Sequence, residues 1–311
     1  MKLSQSSKTD LLSDVLEVLA ARVVRRTRME AAGRWALAFP VFDRLKFVAI
    51  VRGSGWMIRP ESEPQPLGEG DVCLIGRTAY VVASHPEETP IDGQVLYPEG
   101  CDVARLGGDE TVWIGGTVTF AAGGADFLLD MLPEFMVVPC SSPASGAVAM
   151  ILELMNSEIE RHPIGSDIVS ARLADVLLVE AIRAYADGPV AGEIGWLGAL
   201  CDPRIGRALR AVHNNIAQPW TVAQLAGVAG MSRAAFSAEF TRRVGQPPHA
   251  YLRAWRLTLA RAALARGGTN VADVASSVGY TSQSAFSHAF RQEFGTSPKA
   301  DARSEEGQLS S

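Results

Sequence analysis

The alternation of apolar and polar residues divides this chain into a part rich in strands and a part made of helices. An amphipathic helix is predicted at 11–21, and short β-branched or aromatic runs separated by turn residues follow it in the first 140 residues. Many short strands at regular spacing predict a sandwich or a small barrel. The predicted strands are 23–29, 35–39, 47–51, 55–58, 71–75, 80–83 and 112–120.

Two strongly apolar helices are predicted after the strands, and apolar stripes of this kind usually face a core. Glycine and proline residues in 187–203 indicate a linker. It ends with Asp202 as the cap and Pro203 in the first turn of a helix carrying Ile205 and Leu209. The first apolar helix carries Val148, Ile151, Leu152, Met155 and Ile159, and the second carries Ile168, Leu173, Val176, Leu177 and Val179.

The last third of the chain contains an internal repeat, in which segment 221–248 recurs at 270–298. The offset is 49 residues before the turn and 50 residues after it. Two copies are too few to stack into a solenoid, so a duplicated supersecondary unit is the better interpretation. The matched positions are Val222, Ala223, Leu225, Ala226, Gly230, Met231, Phe236, Phe240, Val244, Gly245 and Pro248 with Val271, Ala272, Val274, Ala275, Gly279, Tyr280, Phe286, Phe290, Phe294, Gly295 and Pro298.

Each copy has the outline of a helix-turn-helix. Thr221 is expected to cap a first helix, Gly230 to form the turn and Ser232 to cap a second helix, whose buried side carries Phe236 and Phe240. The opposite side is short and polar, as a helix that enters the major groove of DNA requires. This side presents Arg233, Ala234, Ser237, Ala238 and Thr241 in the first copy, and Gln283, Ser284, Ser287, His288 and Arg291 in the second.

These residues resemble the AraC family of bacterial transcription regulators. The match consists of GMSRAAFSAEFTRRVGQPP (230–248), the linking helix AYLRAWRLTLARAAL (250–264) and VADVASSVGYTSQSAFSHAFRQEFGTSP (271–298). The resemblance implies two helix-turn-helix lobes, held by one long helix, that read two successive major-groove segments of double-stranded DNA. It assigns base reading to Arg233, Ala234, Ser237 and Ala238 in the first lobe and to Gln283, Ser284, Ser287 and His288 in the second.

The sequence departs from the family pattern at two places. His288 stands where the family has a basic residue, and Asp301 with Ala302 stands where the family has an aromatic-basic pair. The first departure bears on base preference, and the second bears on the tail after Pro298. Because the second reading face has more side-chain donors and acceptors, we expect the second lobe to supply at least as much hydrogen bonding to bases as the first.

Charge separates the two parts of the chain. Residues 204–311 contain 13 Lys and Arg and 6 Asp and Glu, a net charge of +7, whereas residues 1–203 carry a net charge of −12. The basic part is predicted to hold the phosphate contacts, which makes DNA binding steeply salt-dependent. The predicted phosphate-binding residues are Ser232, Arg242, Arg243, Arg256 and Arg291, and for each arginine a solvated surface charge is the alternative.

The strand-rich part is similar to the cupin-like sensor domains of AraC-type regulators. The similarity lies in LKFVAIVRGSGWMIRP followed by PLGEGDVCLIG, where residues 68–71 form a tight turn before a core strand. The predicted fold class is α+β multidomain, with an N-terminal cupin-like β-barrel, a central helical dimerisation segment and an all-α C-terminal domain with two helix-turn-helix motifs. The dimerisation role of the central helices is what the resemblance to AraC-type regulators implies. The predicted limits are 1–140, 141–203 and 204–303, followed by a polar tail at 304–311.

Histidine usage bears on whether the barrel holds a metal. Metal-binding cupins use two or three histidines and a carboxylate. This chain has 5 histidines, and only His85 lies before residue 150. Val48 and Tyr80 stand where cupin-like regulators often have histidine. We therefore predict no metal, no other cofactor and no catalytic residue, and we do not expect an enzyme.

The barrel interior is the predicted site of a small-molecule effector, because an apolar barrel mouth with a few polar groups suits such a ligand. Arg22 and Arg26 could meet an anionic ligand, with a solvated face as the alternative. The candidate lining residues are Trp35, Phe47, Trp56, Tyr80 and Trp113, each of which has an ordinary core aromatic as its alternative.

The cysteines and the N-terminus indicate a cytosolic protein. Cys73, Cys101, Cys140 and Cys201 form neither a disulfide framework nor a zinc-ligand spacing. Cys73 or Cys101 could sense oxidants, although no basic neighbour predicts a lowered thiol pKa. The first residues are polar and no apolar run has the length of a membrane span, so neither a signal peptide nor a span is predicted.

The sequence as a whole predicts a sequence-specific transcription regulator, an activator, whose DNA binding is modulated by an effector at the N-terminal domain. The expected partners are double-stranded DNA, RNA polymerase, a small molecule of unknown identity and a second copy of the chain in a homodimer, with no membrane. Two alternatives stay open. One is a metal-dependent cupin enzyme fused to a DNA-binding module, and the other is a ligand-independent repressor.

Overall fold

The computed structural model describes residues 10–120, 124–161, 164–188 and 195–302. These residues form two compact units. The sheet unit consists of Arg22–Thr119 and Pro133–Ala191, and the helical unit consists of Met1–Ala21, Phe120–Leu132 and Gly192–Ser311. Two segments of the first 140 residues therefore group with the C-terminal helices, and the predicted polar tail at 304–311 lies outside the described residues.

The sheet unit contains two sheets, so the predicted strand-rich first part is confirmed. The larger sheet has the strand order β11-β6-β3-β10-β1-β9, and the smaller has the order β5-β4-β7-β2-β8. The pairs β1–β9 and β2–β8 are parallel, and the other described pairs are antiparallel. The strands are β1 (Arg22–Ala31), β2 (Ala36–Phe39), β3 (Leu45–Arg52), β4 (Ser54–Ile58), β5 (Gln65–Gly68), β6 (Val72–Ile75), β7 (Tyr80–Ala83), β8 (Ile91–Asp92), β9 (Val103–Leu106), β10 (Thr111–Thr119) and β11 (Phe135–Val138).

All seven predicted strands are present, with ends that differ from the prediction by at most two residues. Four strands, β5, β8, β9 and β11, are absent from the prediction. Each of the four lies at an edge of its sheet. An edge strand is paired on one side only, so its sequence needs less of the alternating pattern that identifies a central strand.

The core of the sheet unit lies between its sheets and is built from alternate strand residues. Trp113 on β10 pairs with Met29 on β1 and with Ile50 on β3, and all three are buried. Leu37 on β2 and Val82 on β7 come from the smaller sheet and belong to the same cluster. Each such side chain contributes about 1.5–3 kcal/mol by leaving water.

The tight turn predicted at 68–71 is confirmed. The backbone amide of Asp71 donates to the carbonyl of Gly68 over 3.0 Å, and the amide of Gly68 donates to the Asp71 carboxylate over 2.8 Å. Gly70 has a φ of +87°, in the left-handed region that glycine adopts without strain. The turn thus delivers the chain into β6, whose four residues are all buried.

Two of the α-helices, α3 and α4, belong to the sheet unit. The predicted stripe on α3 is confirmed for Val148, Ile151, Leu152 and Met155, which are buried, and the Ile159 side chain lies outside the described part. The helices are α1 (Leu11–Val18), α2 (Gly124–Leu129), α3 (Gly146–Arg161), α4 (Ser166–Ala186), α5 (Trp196–Cys201), α6 (Ile205–Asn214), α7 (Val222–Ala229), α8 (Arg233–Val244), α9 (Pro248–Ala265), α10 (Val271–Ser277) and α11 (Gln283–Phe294).

The predicted stripe on α4 is wrong in part. Leu177 is buried, but Ile168 is 71% exposed and Val176 is 47% exposed. Leu173 and Val179 are half-buried. The helix is apolar on more than one face, so its spacing alone did not identify the inner face. The buried residues of α4 are Ser170, Ala174, Leu177, Leu178, Ala181, Ile182 and Ala184.

Two helix limits also differ from the prediction. Helix α1 ends at Val18 rather than at residue 21, and Ala20 has a φ of +46°, which no helix continues. Helix α5 lies within the predicted linker, where Trp196 is fully buried. Helix α6 begins at Ile205, two residues later than predicted, and the Asp202 carboxylate accepts from the amides of Arg204 and Ile205 over 2.8 Å each.

An aromatic cluster forms the centre of the helical unit. The ring of His213 on α6 stacks on Trp255 of α9 with 4.7 Å between centroids. The Trp196 indole donates to the Tyr251 hydroxyl over 3.2 Å, and that hydroxyl lies 2.7 Å from Nε2 of His213. The Tyr251 hydroxyl therefore contacts both Trp196 and His213, whereas Nδ1 of His213 is buried and has no hydrogen-bond partner among the described residues.

Within the described ranges, no helix is both long and apolar enough to cross a membrane.

The buried histidine predicts a pH dependence of folding. Burial lowers the pKa of His213 to about 3, whereas the unfolded chain takes up the proton near 6.5. Stability is therefore retained above pH 6.5 and lost as the pH falls below it, by about 1.4 kcal/mol per pH unit. Urea unfolding at pH 7.5, 6.5 and 5.5 measures this slope. His213→Gln should flatten it, whereas His249→Gln, at an exposed histidine of α9, should leave it; equal slopes in all three proteins contradict the assignment.

Candidate functional site

The first helix-turn-helix has its helix caps and its turn at the residues that the sequence predicted. Helix α7 begins with a capping box, in which Thr221 Oγ1 accepts from the Gln224 amide over 3.2 Å and Gln224 Oε1 accepts from the Thr221 amide over 2.9 Å. Gly230 ends α7 with a φ of +69°. Ser232 Oγ then accepts from the Ala235 amide over 3.3 Å and caps α8. The predicted cap and turn residues are confirmed.

The second helix-turn-helix repeats this arrangement with other residues. Asn270 Oδ1 accepts from the Asp273 amide over 2.9 Å to cap α10, and Ser282 caps α11. The turn requires Gly279, which has a φ of +88° and whose position leaves no room for a β-carbon. Such an atom would lie 2.7 Å from the Ala217 carbonyl oxygen. The two copies thus share one backbone form, as the repeat predicts.

Both second helices bury a phenylalanine pair and leave the opposite face in solvent. Phe236 and Phe240 are at most 1% exposed on α8, and Phe286 and Phe290 are fully buried on α11. The eight predicted base-reading residues lie on the outer faces of these two helices. Ser237 and Ser287 are partly exposed, and Arg233, Ala234, Ala238, Gln283, Ser284 and His288 are exposed.

The predicted phosphate-binding residues on α8 are engaged in ion pairs. Arg242 lies 2.8 Å from Glu239, and Arg243 lies 2.6 Å from Glu239 and 3.2 Å from Asp202. These hydrogen bonds lower the pKa of Glu239 to about 2. The Arg243 side chain is only 17% exposed, so it joins α8 to the start of α6. In the unbound protein, the ion pairs of Arg243 with Glu239 and Asp202 hold these segments together.

Of the other two predicted phosphate-binding arginines, the Arg256 side chain has hydrogen-bond partners and that of Arg291 has none among the described residues. Arg256 on α9 donates to the carbonyls of Ile216 and Gln218 over 3.0 and 2.6 Å, and thereby holds the segment before α7. Arg291 on α11 is exposed, and no described residue forms an ion pair or hydrogen bond with its guanidinium. Among these arginines, Arg291 is therefore the one that can reach a phosphate without releasing a partner in the described structure.

Arg207 has a structural role that the sequence did not indicate. From α6 it donates to the carbonyls of Val228 and Ala229 over 3.3 and 3.0 Å, at the end of α7. It thereby fixes the first turn, as Arg256 fixes the segment before α7. The partners are 21 and 22 residues away, so no local pattern reveals the contact.

A second hidden contact is the ion pair of Arg261 and Asp301. It is bidentate, with distances of 2.9 and 2.8 Å, and it joins α9 to the chain after α11. The Asp301 side chain is 7% exposed, and the Arg261 guanidinium also lies 4.6 Å from the Phe294 ring centroid. Asp301, which departs from the family pattern, therefore attaches the chain after α11 to α9 and stabilises the second lobe.

The sheet unit contains a cavity of about 530 Å³. Three predicted effector-site residues, Phe47, Tyr80 and Trp113, line it. Trp35 does not line it and instead packs edge-on against Trp113, with centroids 5.6 Å apart. Trp56 is also absent from the lining, because its neighbours in β4 face the core and alternation turns Trp56 to the other side.

The basic residues at this cavity also differ from the prediction. Arg25 lines the cavity, and Arg22 and Arg26 do not. This segment is strand β1, in which successive side chains point to opposite faces, and Arg25, Thr27 and Met29 occupy the face that lines the cavity, so Arg26 points to the other face. Lys46 lines the cavity as well, and burial together with the charges of Arg44 and Arg25 lowers its pKa to about 8.

Cys73 and Cys101, the two candidate redox cysteines, differ in burial. Cys73 is fully buried, and burial raises the pKa of its thiol. Cys101 is partly buried, with its sulfur 3.4 Å from the Val103 carbonyl oxygen. Within the described ranges, no group of three or more His, Cys, Asp or Glu is arranged to hold a metal ion. His85 lies between β7 and β8, beside the ring of Trp56.

Comparison with known proteins gives the same two-part organisation. A cupin family model matches residues 10–187, and a helix-turn-helix domain model matches residues 225–304. An AraC-like transcription regulator of Streptomyces lividans is 37% identical, with 93% of this chain and 96% of the relative covered. The regulator AlkR of Acinetobacter baylyi is 29% identical over 93% of this chain and 98% of AlkR. The RCS-specific transcriptional activator RclR of Escherichia coli is 26% identical over 80% of this chain and 88% of RclR.

The contribution of the Arg261–Asp301 ion pair to stability can be tested by Asp301→Asn. The change leaves the Arg261 charge without its partner, so the free energy of unfolding should fall by about 2–3 kcal/mol, less than for a fully buried pair because Arg261 keeps 19% exposure. Asp109→Asn removes a pair with Arg52 that is exposed on both sides and should cost under about 0.5 kcal/mol. Urea denaturation measures both, and equal losses would contradict a structural role for Asp301.

Proposed function

Because this chain belongs to the AraC-like family of DNA-binding transcription regulators, we propose that it reads a specific DNA sequence with α8 and α11 and responds to a small molecule held by the sheet unit. Both reading helices would enter successive major-groove segments. The observation that carries the proposal is the pair of slim, polar and solvent-exposed faces, each positioned by capped helices on a buried aromatic core.

The two lobes contribute differently to base recognition in this proposal. The first offers Arg233 and Ser237 beside alanines, whereas the second offers Gln283, Ser284 and His288. Glutamine can form a bidentate pair with adenine, and arginine with guanine. The second lobe therefore supplies at least as many side-chain hydrogen bonds as the first. Phosphate binding belongs to Arg291 first, with Ser232, Arg242, Arg243 and Arg256 as further contacts.

Chain connectivity supports control by an effector. Trp113 and Thr117 of β10 line the cavity, and the chain continues from β10 into α2. Helix α2 belongs to the helical unit, where Phe127 packs on Trp255 at 4.9 Å and on Tyr251 at 5.9 Å between centroids. If β10 has two positions and the ligand binds one of them more tightly, the ligand favours that position of β10. Because the chain runs from β10 into α2, and α2 packs on α9, the position of α9 between the two lobes would change with it.

Activation of transcription and contact with RNA polymerase are part of the same proposal. The similarity to RclR, a transcriptional activator, supports it. A cytosolic location follows from the DNA partner. We also propose that the chain acts without catalysis, since the described strands contain no histidine that could serve as a cupin metal ligand. The limits 1–140, 141–203 and 204–303 are our proposal for the domains.

We propose that α3 and α4 form the interface of a homodimer. These two helices pack together and expose apolar side chains that a monomer leaves in water. Met150 and Leu154 on α3 are 62% and 56% exposed, and Ile168 and Val176 on α4 are 71% and 47% exposed. A second copy of the same helices would bury these residues in a symmetric contact.

The DNA-reading proposal predicts that base-reading and phosphate-binding residues lose DNA affinity in two different ways when they are substituted. A duplex site is selected from random DNA with the full chain, and fluorescence anisotropy then measures affinity at several salt concentrations. Gln283→Ala should weaken binding to the selected site by about 10-fold to 100-fold and leave binding to random DNA unchanged. Arg291→Ala should weaken both equally and reduce the salt slope by about 1.

Two residues of the sheet unit provide matched controls for this experiment. Gln65→Ala and Arg34→Ala remove the same groups at exposed positions and should change neither affinity nor salt slope. If Gln283→Ala and Arg291→Ala cause the same loss on selected and random DNA, the division between base reading and phosphate binding is wrong. If the chain selects no sequence at all, the proposal of sequence-specific binding is wrong.

The dimer interface predicts that a charge in the apolar surface separates the copies. Leu154→Glu should shift the protein from dimer to monomer at micromolar concentration, because burying an unpaired carboxylate in the interface is costly. Sedimentation velocity measures the shift. Val41→Glu changes a residue of similar exposure, 59%, elsewhere on the sheet unit and should leave the dimer intact. A wild-type monomer, or a Leu154→Glu dimer, would overturn the assignment.

A further inference from the structure

Building on the proposed effector site, we propose that the cavity of the sheet unit takes an amphipathic organic anion, with a flat apolar body inside and a carboxylate, sulfonate or phosphate group at the exposed end. The proposal rests on how three neighbouring strands, β1, β10 and β3, arrange their inward-facing residues in rows. It assigns a ligand class to the cavity and names Lys46 as the residue that selects the charge.

The register of the three strands places the residues in rows across the sheet. The outermost row combines two cations with a hydroxyl, the middle row is small because of a glycine, and the innermost row is apolar and buried. From outside to inside, the rows are Arg25, Thr117 and Lys46; Thr27, Gly115 and Val48; and Met29, Trp113 and Ile50. All of these residues except Ile50 line the cavity. Polarity therefore decreases inward along a single face.

The exposed end is cationic and lacks a matching anion. Arg25, Arg44 and Lys46 line the cavity, and none of the lining residues is Asp or Glu. Arg25 is already paired with Asp102 at 2.9 Å. For Arg44 and Lys46, no described residue provides a carboxylate partner, and Lys46 instead lies 3.8 Å from the centroid of the Phe42 ring. A bound anion would supply the missing counter-charge.

The titration of Lys46 is consistent with this arrangement. Burial, Arg44 and Arg25 all lower the pKa of Lys46, to about 8. Burial and the two neighbouring cations therefore destabilise the ammonium, although it is still mostly protonated at pH 7. An anion bound beside it would reverse this effect, so ligand charge and Lys46 protonation are coupled.

The interior suits a flat apolar body. Phe39 and Tyr80 from the smaller sheet are stacked at 5.0 Å with an angle of 24° between their planes, and both line the cavity. Leu37 and Val82 lie beside them. The middle row stays open because position 115 is glycine, where a β-carbon would lie 2.9 Å from Thr27 Oγ1. A volume of about 530 Å³ is within the range of small-molecule sites.

Two fluorescent probes with the same aromatic body test the proposal. 1-Anilinonaphthalene-8-sulfonate carries a sulfonate, and N-phenyl-1-naphthylamine is its neutral counterpart. Titrated into the full chain at pH 7, the sulfonate should bind about tenfold more tightly than the neutral probe, which is the value of one favourable charge contact in a partly buried site. Equal affinities for the two probes would overturn the proposal.

Variants of Lys46 connect this preference to the named residue. Lys46→Met should lower the affinity for the sulfonate about tenfold and change that for the neutral probe less than twofold. Lys46→Arg should restore the preference, and Arg34→Met, at an exposed cation outside the cavity, should leave both affinities unchanged. A sulfonate affinity that survives Lys46→Met in a folded protein, checked by its thermal transition, means that the probe binds elsewhere and sinks the proposal.

The pH dependence provides an independent readout. Between pH 7 and 9 the sulfonate should lose affinity as Lys46 loses its proton, while the neutral probe should not. The other charged or titratable lining residues are Arg25, Arg44, Tyr80 and Tyr97, and burial raises the pKa values of the two tyrosines. Lys46→Met should abolish the slope, and a slope that persists would contradict its role.

These measurements contain no DNA, so they separate this proposal from the proposed function. Loss of probe discrimination with intact sequence-specific DNA binding would overturn the ligand class alone. Loss of DNA selection with intact probe discrimination would overturn the proposed sequence-specific DNA binding alone.

Discussion

The arrangement of the two DNA-reading lobes depends on the burial of one face of α9. Its first half holds Tyr251 and Trp255, which pack with Phe240 of the first lobe and with His213. Its second half holds Leu257, which joins Phe286 of the second lobe in one core cluster. Because one continuous helix supplies both cores, the distance between the reading helices follows from its rise per residue. A change in α9 would therefore reach both lobes at once.

The lobes are similar in backbone but differ in what holds them to this helix. In the first lobe, Arg207 and Arg243 join separate segments through carbonyls and carboxylates. In the second lobe, Arg261 and Asp301 form the corresponding contact after α11. Arginine suits these positions because its planar group can bond several acceptors at once. The cost is that part of the positive charge of this region is used internally, which leaves Arg233 and Arg291 as exposed cations on the two reading faces.

The sheet unit shows how far a periodic pattern can be interpreted without a structure. Central strands were predictable, because alternation and β-branched residues are strong where both sides of a strand are paired. The edge strands β5, β8, β9 and β11 escaped prediction, since they are short and their pairing depends on a neighbour that the local sequence does not reveal. The same limit applies to the cavity. Phe47, Tyr80 and Trp113 were foreseen, but Arg25 and Lys46 meet there only because both pair with Thr117 of β10.

Local chemistry alone determined the two helix-turn-helix units. Their caps, left-handed glycines and phenylalanine spacing are short-range requirements, so the repeat and the charge of the C-terminal part predicted the reading faces. Tertiary structure decided which arginines remain exposed, which residue Asp301 pairs with and where α2 packs. These properties depend on contacts between residues tens of positions apart or more, and a single sequence contains no signal for such contacts until the chain has folded.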